Sequence, residues 1–220
     1  MPLFCCRDAI AQSTDLMMRI RPFELPLSDA LIQGYDAWAT SYDRDVRDLG
    51  YCTPEHVADA VCHQIGDHDA YLLDVGAGTG LLGEEMYRRG YRHLMGMDAS
   101  HGMLAQAALK GTYRWLSRMV LGYPLGFANQ VFDGVMAAGV FSSHQVPPES
   151  LWDLHRIVRP GGWIVFSLKW DGNFKEAFLA AGQRLEEQGQ WQSYGGSGVY
   201  ASWPHADRGM QTRVLIYKVL

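Results

Sequence analysis

The stretch Tyr71–Gly83, YLLDVGAGTGLLG, sets one acid, Asp74, two residues ahead of glycines at 76, 78 and 80. Tyr71, Leu72, Leu73 and Val75 surround that acid, and a helical pattern starts at Leu81. A short apolar run, ended by glycines and continued by a helix, reads as a buried parallel strand turning into a helix. Glycine there lets the backbone take positive φ and lets a ligand approach it closely. A dinucleotide fingerprint would need glycine at 76, 78 and 81, but Leu occupies 81. No Lys-Ser or Lys-Thr follows, so the loop is not a P-loop either. A glycine turn that only packs a helix on a sheet fits the same residues. Asp98 ends the next apolar run, 22 residues after Gly76. A carboxylate at that place can accept both hydroxyls of a ribose, each hydrogen bond to the charge contributing about 1.5–3 kcal/mol. It can equally cap the helix that follows.

Acid, one residue, then G-x-G-x-G resembles the first motif of the Rossmann-like methyltransferases that use S-adenosylmethionine. The segment GMDASHGMLAQA (96–107) resembles their second motif. FDGVMAAGVF (132–141) and LHRIVRPGGWIVFSL (154–168) resemble their fourth-strand and fifth-strand motifs, so the likeness spans about residues 35–170. The resemblance implies S-adenosylmethionine as cofactor. It places the backbone of Gly76 and Gly78 near the methionine moiety, within the glycine set that Gly80 completes. It gives Asp74 the ammonium, or else a loop-bracing role, and it gives Asp98 the ribose. Ala99 and Met103 would pack on the adenine, although Met103 also fits plain core. In LGYPLGF (121–127), Leu121 stands where many relatives carry an acid. The adenine would then rest on the backbone of Gly122 and on apolar walls.

Tyr35, Trp38 and Tyr42 share one face of a helix, and either form its buried stripe or cover the ligand. By the resemblance this segment lies over the cofactor, with Tyr42 near the sulfonium. Aromatic faces attract cations by roughly 0.5–2 kcal/mol. YDAWATSYDRDV together with SSHQVP is most similar to the Williams–Beuren region methyltransferase-like proteins, which implies a small-molecule acceptor. His144 follows the fourth strand, where the acceptor should dock, and is the candidate catalytic base, with His205 a weaker one. No carboxylate cluster follows that strand, so no metal is expected. Transfer to a protein or RNA side chain, or a cofactor-binding protein without catalysis, are the competing readings.

These residues need a scaffold, and the patterning supplies one. Ser28 or Asp29 can cap a helix over 31–49; Gly34 weakens its start and Thr40-Ser41 softens its middle, which leaves two short helices as the alternative, and Asp36, Asp43, Arg44, Asp45 and Arg47 make its polar face. Pro54–Ile65 reads as a helix capped by Thr53. Strands are expected at 71–75, 93–97, near 117–121, at 132–137 and at 163–168, with helices at 81–89, 99–110, 147–158 and 174–188. Segments 190–200 and 211–220 alternate like strands. Alternating strands and helices argue an α/β, doubly wound, mostly parallel seven-stranded sheet with helices on both faces and an antiparallel C-terminal strand. Ligands in such sheets sit beyond the carboxyl ends of the strands, where Asp74–Gly80, Asp98–Met103, Leu121–Gly122 and Ala138–His144 should gather.

At 220 residues the chain reads as one domain over 28–220, with a helical lid at 28–66 and a ragged leader over 1–27. Net charge is −5 and no basic run exceeds Arg88-Arg89, so no nucleic-acid partner is expected. No apolar segment approaches the ~20 residues that span a bilayer, so no membrane partner is expected. Residues 1–20 lack the apolar core of a signal peptide. Four cysteines without a C-x-x-C pair suggest reduced thiols and a cytoplasmic setting.

Overall fold

The computed structural model describes residues 28–142, 146–206 and 210–220. The leader and His144 lie outside the described residues. The elements run α1 (Asp29–Asp48), α2 (Thr53–Gln64), β1 (Leu72–Val75), α3 (Leu81–Arg88), β2 (Leu94–Asp98), α4 (His101–Lys110) and β3 (Trp115–Arg118). Then follow β4 (Phe132–Phe141), α5 (Ser150–Ile157), β5 (Val158–Lys169), α6 (Gly172–Glu187), β6 (Trp191–Gly196), β7 (Tyr200–Ala201) and β8 (Gln211–Val219).

The sheet order is β3-β2-β1-β4-β5-β8-β6, with the two-residue β7 paired to β8. β1 pairs in parallel with β2 and β4, β2 with β3, and β4 with β5. β8 runs antiparallel to both β5 and β6. The chain winds outward from β1 to β3 and then returns to β4 on the other side. The reversal lies between β1 and β4, where an open α/β sheet leaves a crevice beyond its carboxyl ends.

Two cores cover the two faces, and the strands feed them by alternation. Leu73, Val135, Ile164, Phe166 and Leu215 join one core with Leu154 of α5 and Phe178 of α6. Leu72, Met136, Val165 and Val214 join the other with Val61 of α2 and Met86 of α3. Successive strand residues point to opposite faces, so a sheet covered on both sides needs apolar residues at consecutive positions.

Several boundaries differ from the sequence expectation for identifiable reasons. α1 is one unbroken helix capped by Ser28; the Ser41 hydroxyl bonds Asp45 and the helix does not divide at Thr40-Ser41. Cys52, not Thr53, holds the N-cap position of α2, because the Thr53 hydroxyl donates to Ser202 at 2.9 Å. β3 begins two residues before the expected 117, since its register is set by pairing Trp115–Arg118 with Met95–Asp98. β5 starts at Val158: pairing with β4 exists on both sides of Arg159-Pro160-Gly161-Gly162, which forms an irregularity within the strand. Gly161 has φ +81°, the conformation expected of that turn.

Candidate cofactor and active site

The loop after β1 is pinned to the end of β2. The Ala77 N–H donates to the Met97 carbonyl at 2.9 Å and the Gly78 N–H to Asp98 Oδ2 at 2.9 Å. Gly76 has φ +66°, and a Cβ there would run into Val140 of β4. Only bare main chain fits between the loop and β4, and it forms one wall of a cavity of about 260 Å³. Asp98, Ala99, Ser100, Met103, Met119 and Leu121 line one part of it. Tyr51, Gly139, Val140, Val146, Trp203 and Met210 line another. Leu31, Ile32, Tyr35, Trp38 and Tyr42 of α1 also line it. A smaller cavity of about 40 Å³ lies at Asp74, Gly76, Gly78 and Thr79, and shares Tyr42 and Tyr51 with the larger one.

Two acids sit where these cavities meet the loop. Asp98 Oδ1 accepts the Ser100 N–H at 2.8 Å and Oδ2 accepts the Gly78 N–H, leaving each oxygen a lone pair for a ligand hydroxyl. Burial raises its carboxyl above the usual range, against the pull of those N–H groups. Asp74 is 1% exposed. Its Oδ2 accepts the Tyr113 hydroxyl at 2.6 Å, and its Oδ1 is buried with no hydrogen-bond partner among the described residues. Burial pushes this carboxyl up to about 7, the Tyr113 hydrogen bond lowers it, and the nearby Asp98 charge adds a smaller rise. One buried acid, one half-buried acid and a set of aromatic rings suit a cationic ligand.

α1 is fastened over the site through two of its acids. Asp36 accepts the Ser100 hydroxyl at 2.5 Å and the Gly102 N–H at 2.7 Å, at the N-terminus of α4, where a carboxylate is favoured. Those two bonds, the Ser100 one foremost, hold the Asp36 carboxyl below the usual range. Asp43 accepts the Thr79 hydroxyl of the glycine loop at 2.5 Å and pairs with Lys110 at 2.7 Å. Trp38 donates its ring N–H to Asp45 at 2.8 Å and meets Tyr42 edge-on at 4.6 Å.

The structure thus brings Tyr42, Asp74, Gly76, Gly78, Asp98, Ala99 and Met103 around two adjoining cavities. Two expected residues do not line them. Gly80 begins α3, with the Tyr113 ring and Ala107 against it. Gly122 is absent from the walls, and Met119 and Leu121 stand there instead. His205 sits at the end of α1, its ring near the Asp48 carbonyl. Asp36 and Asp43, read from the sequence as part of a polar face, dock α1 on α4 and the loop. Tyr51, Tyr113 and Trp203 were not foreseen. Tyr51 and Trp203 stack at 4.7 Å, and no local pattern announces a contact between residues so far apart.

A glycine cradle at a sheet crossover, an acid at the end of β2 and an unpartnered buried carboxylate oxygen meet at the carboxyl edge of the parallel strands. Residues 73–166 match the family model described as methyltransferase domain. Human methyltransferase-like protein 27 is 36% identical over 176 residues, 77% of this chain and 69% of that protein. The chain belongs to the class I S-adenosylmethionine-dependent methyltransferases. A tRNA U34 carboxymethyltransferase of Cellvibrio japonicus is 30% identical over 102 residues, 44% of this chain and 32% of that protein. Among solved structures, magnesium protoporphyrin IX methyltransferase from Synechocystis with bound SAH superposes with a TM-score of 0.63 at 16% identity, covering 86% of this chain and 95% of that one. S-adenosylmethionine is therefore the cofactor, and the chemistry of the walls, two acids beside aromatic and aliphatic side chains, suits a cationic nucleoside. No helix among the described residues is long and apolar enough to cross a membrane.

Proposed function

We propose that this methyltransferase acts on a small, largely apolar acceptor without a metal ion. The observation that carries this reading is the cavity. It is small, lies between α1 and the strand ends, and is lined by aromatic and aliphatic side chains, with no Lys or Arg among its described lining residues. An acceptor carried on nucleic acid would call for cationic groups near its phosphates. Among the described residues no group of three or more His, Cys, Asp or Glu could hold a metal.

When bound, S-adenosylmethionine supplies a methyl group on a positively charged sulfur, ready for in-line displacement. The chain's task is to position that group, an effect that can supply ~7–11 kcal/mol. Asp98 receives the ribose hydroxyls, Ala99, Met103, Met119 and Leu121 enclose the base, and Asp74 faces the ammonium. Tyr42 sits where its ring can meet the sulfonium, and Trp38, Tyr51, Trp203 and Met210 shape the acceptor side. Burial raises the Tyr42 and Tyr51 hydroxyls, so both stay protonated at neutral pH and serve as hydrogen-bond donors rather than bases. If the nucleophile must lose a proton, His144 is the residue we assign to take it, on its position after β4.

Methyl-labelled cofactor, incubated separately with a small-molecule extract and a macromolecular extract, tests the reading. Label should appear in the small-molecule fraction. Label confined to RNA or protein would overturn it, and label in RNA would favour an acceptor of the kind named for the tRNA-modifying relative.

A further inference from the structure

Tyr113 lies between α4 and β3, outside every motif singled out in the sequence, yet it touches the strand before the glycine loop and the helix after it. Its hydroxyl accepts the Gly83 N–H at 3.1 Å and donates to Asp74 Oδ2 at 2.6 Å. α3 has Gly80 at its N-cap and therefore no capping side chain, so the Tyr113 oxygen takes the place that a Ser or Asp would fill. Because the Gly83 N–H points at that oxygen, the single hydroxyl proton is directed at Asp74. The ring lies against three glycines: a Cβ on Gly83 would strike the phenol, and one on Gly80 or Gly96 would lie 3.1 Å from the ring.

We propose that Tyr113 is a positioning residue for cofactor binding: it clamps one oxygen of Asp74 and leaves the other to the ammonium of S-adenosylmethionine. This rests on the placement of Asp74 at the ammonium and is independent of the acceptor. The unpartnered Asp74 Oδ1 is the second half of the geometry, since a carboxylate held on one side and orphaned on the other has one direction in which to take a cation. The charged and titratable groups around it are few. Asp98 faces it from β2, Tyr42 from α1 and Tyr51 from the connection to α2. Lys110, beyond Thr79, is engaged by Asp43 and Glu84. α2, α3 and β4 present Pro54, Leu81, Leu82 and Ala138.

The sign of the pH effect follows. A carboxyl pushed up to about 7 loses its charge as pH falls through that value, so cofactor affinity should weaken from about pH 8 to about pH 6. The Tyr113 hydrogen bond favours the ionised form, so Tyr113→Phe should move the midpoint upward by about half a unit or more. Calorimetric titration of the full chain with S-adenosylmethionine across this range reads the effect. Asp74→Asn should give weak binding with a flat profile, and Tyr113→Phe an upshifted midpoint. Gly83→Ala, which displaces the phenol from the helix end, should reproduce the Phe shift and decides the matter should the Phe variant fail to fold. A Tyr113→Phe or Gly83→Ala protein that binds more weakly by one constant factor at every pH would overturn the positioning role. An Asp74→Asn protein that keeps the wild-type profile would overturn the placement of Asp74 itself. Neither outcome bears on which extract the label enters.

Discussion

At the scale of residues, the two acids at the loop divide their work by surroundings. Asp98 is held by two backbone N–H groups and lines the larger cavity, whereas Asp74 lines the smaller one, with one oxygen held by a phenol and the other without a partner among the described residues. Asp98→Ala should weaken S-adenosylmethionine binding at least tenfold, a loss of about 1.4 kcal/mol or more. Calorimetry checks this, and an unchanged Kd would refute the ribose role. Both acids were legible in the sequence because each sits at a fixed offset from glycines at the end of an apolar run. Tyr113 was not legible: its partner Asp74 lies 39 positions away, and its slot is cut by three glycines on two different segments. Gly80 shows the converse. The family resemblance counts it with the cofactor glycines, and the folded chain places it at the start of α3 beside a ring.

At the scale of elements, α1 covers the site because two of its acids find partners on α4 and on the loop. The aromatic face of this helix was visible as a periodicity, since Tyr35, Trp38 and Tyr42 recur at helical spacing. Which acids face inward was not, because Asp36 and Asp43 resemble solvated residues until Ser100, Gly102, Thr79 and Lys110 are brought opposite them. Replacing Asp36 and Asp43 together by Ala should leave the sheet folded and speed cofactor release several-fold, measurable by stopped-flow displacement. Release at the wild-type rate would show that the helix does not retain the cofactor.

At the scale of the whole molecule, the site depends on the sheet's being wound so that β1 and β4 diverge in connection while pairing side by side. The antiparallel β8 seals the far half, where Trp191 stacks on Tyr217 at 4.1 Å and donates to the Gly182 carbonyl at 2.8 Å. Trp191→Ala removes a fully buried ring together with its hydrogen bond to Gly182, so stability should fall by about 3–5 kcal/mol in denaturant unfolding. A loss near zero would mean that the far half of the sheet contributes little to the fold. The sequence alone determined the strand-and-helix alternation, the sheet class, the glycine cradle and its two acids, because each is a pattern among residues close in the chain. Only the tertiary structure decided that Tyr113 grips Asp74, that α1 is anchored through Asp36 and Asp43, and that Trp203 and Met210 reach the cavity. Those contacts join segments separated by tens of residues, and the energy that fixes them comes from packing and burial, which no local spacing encodes.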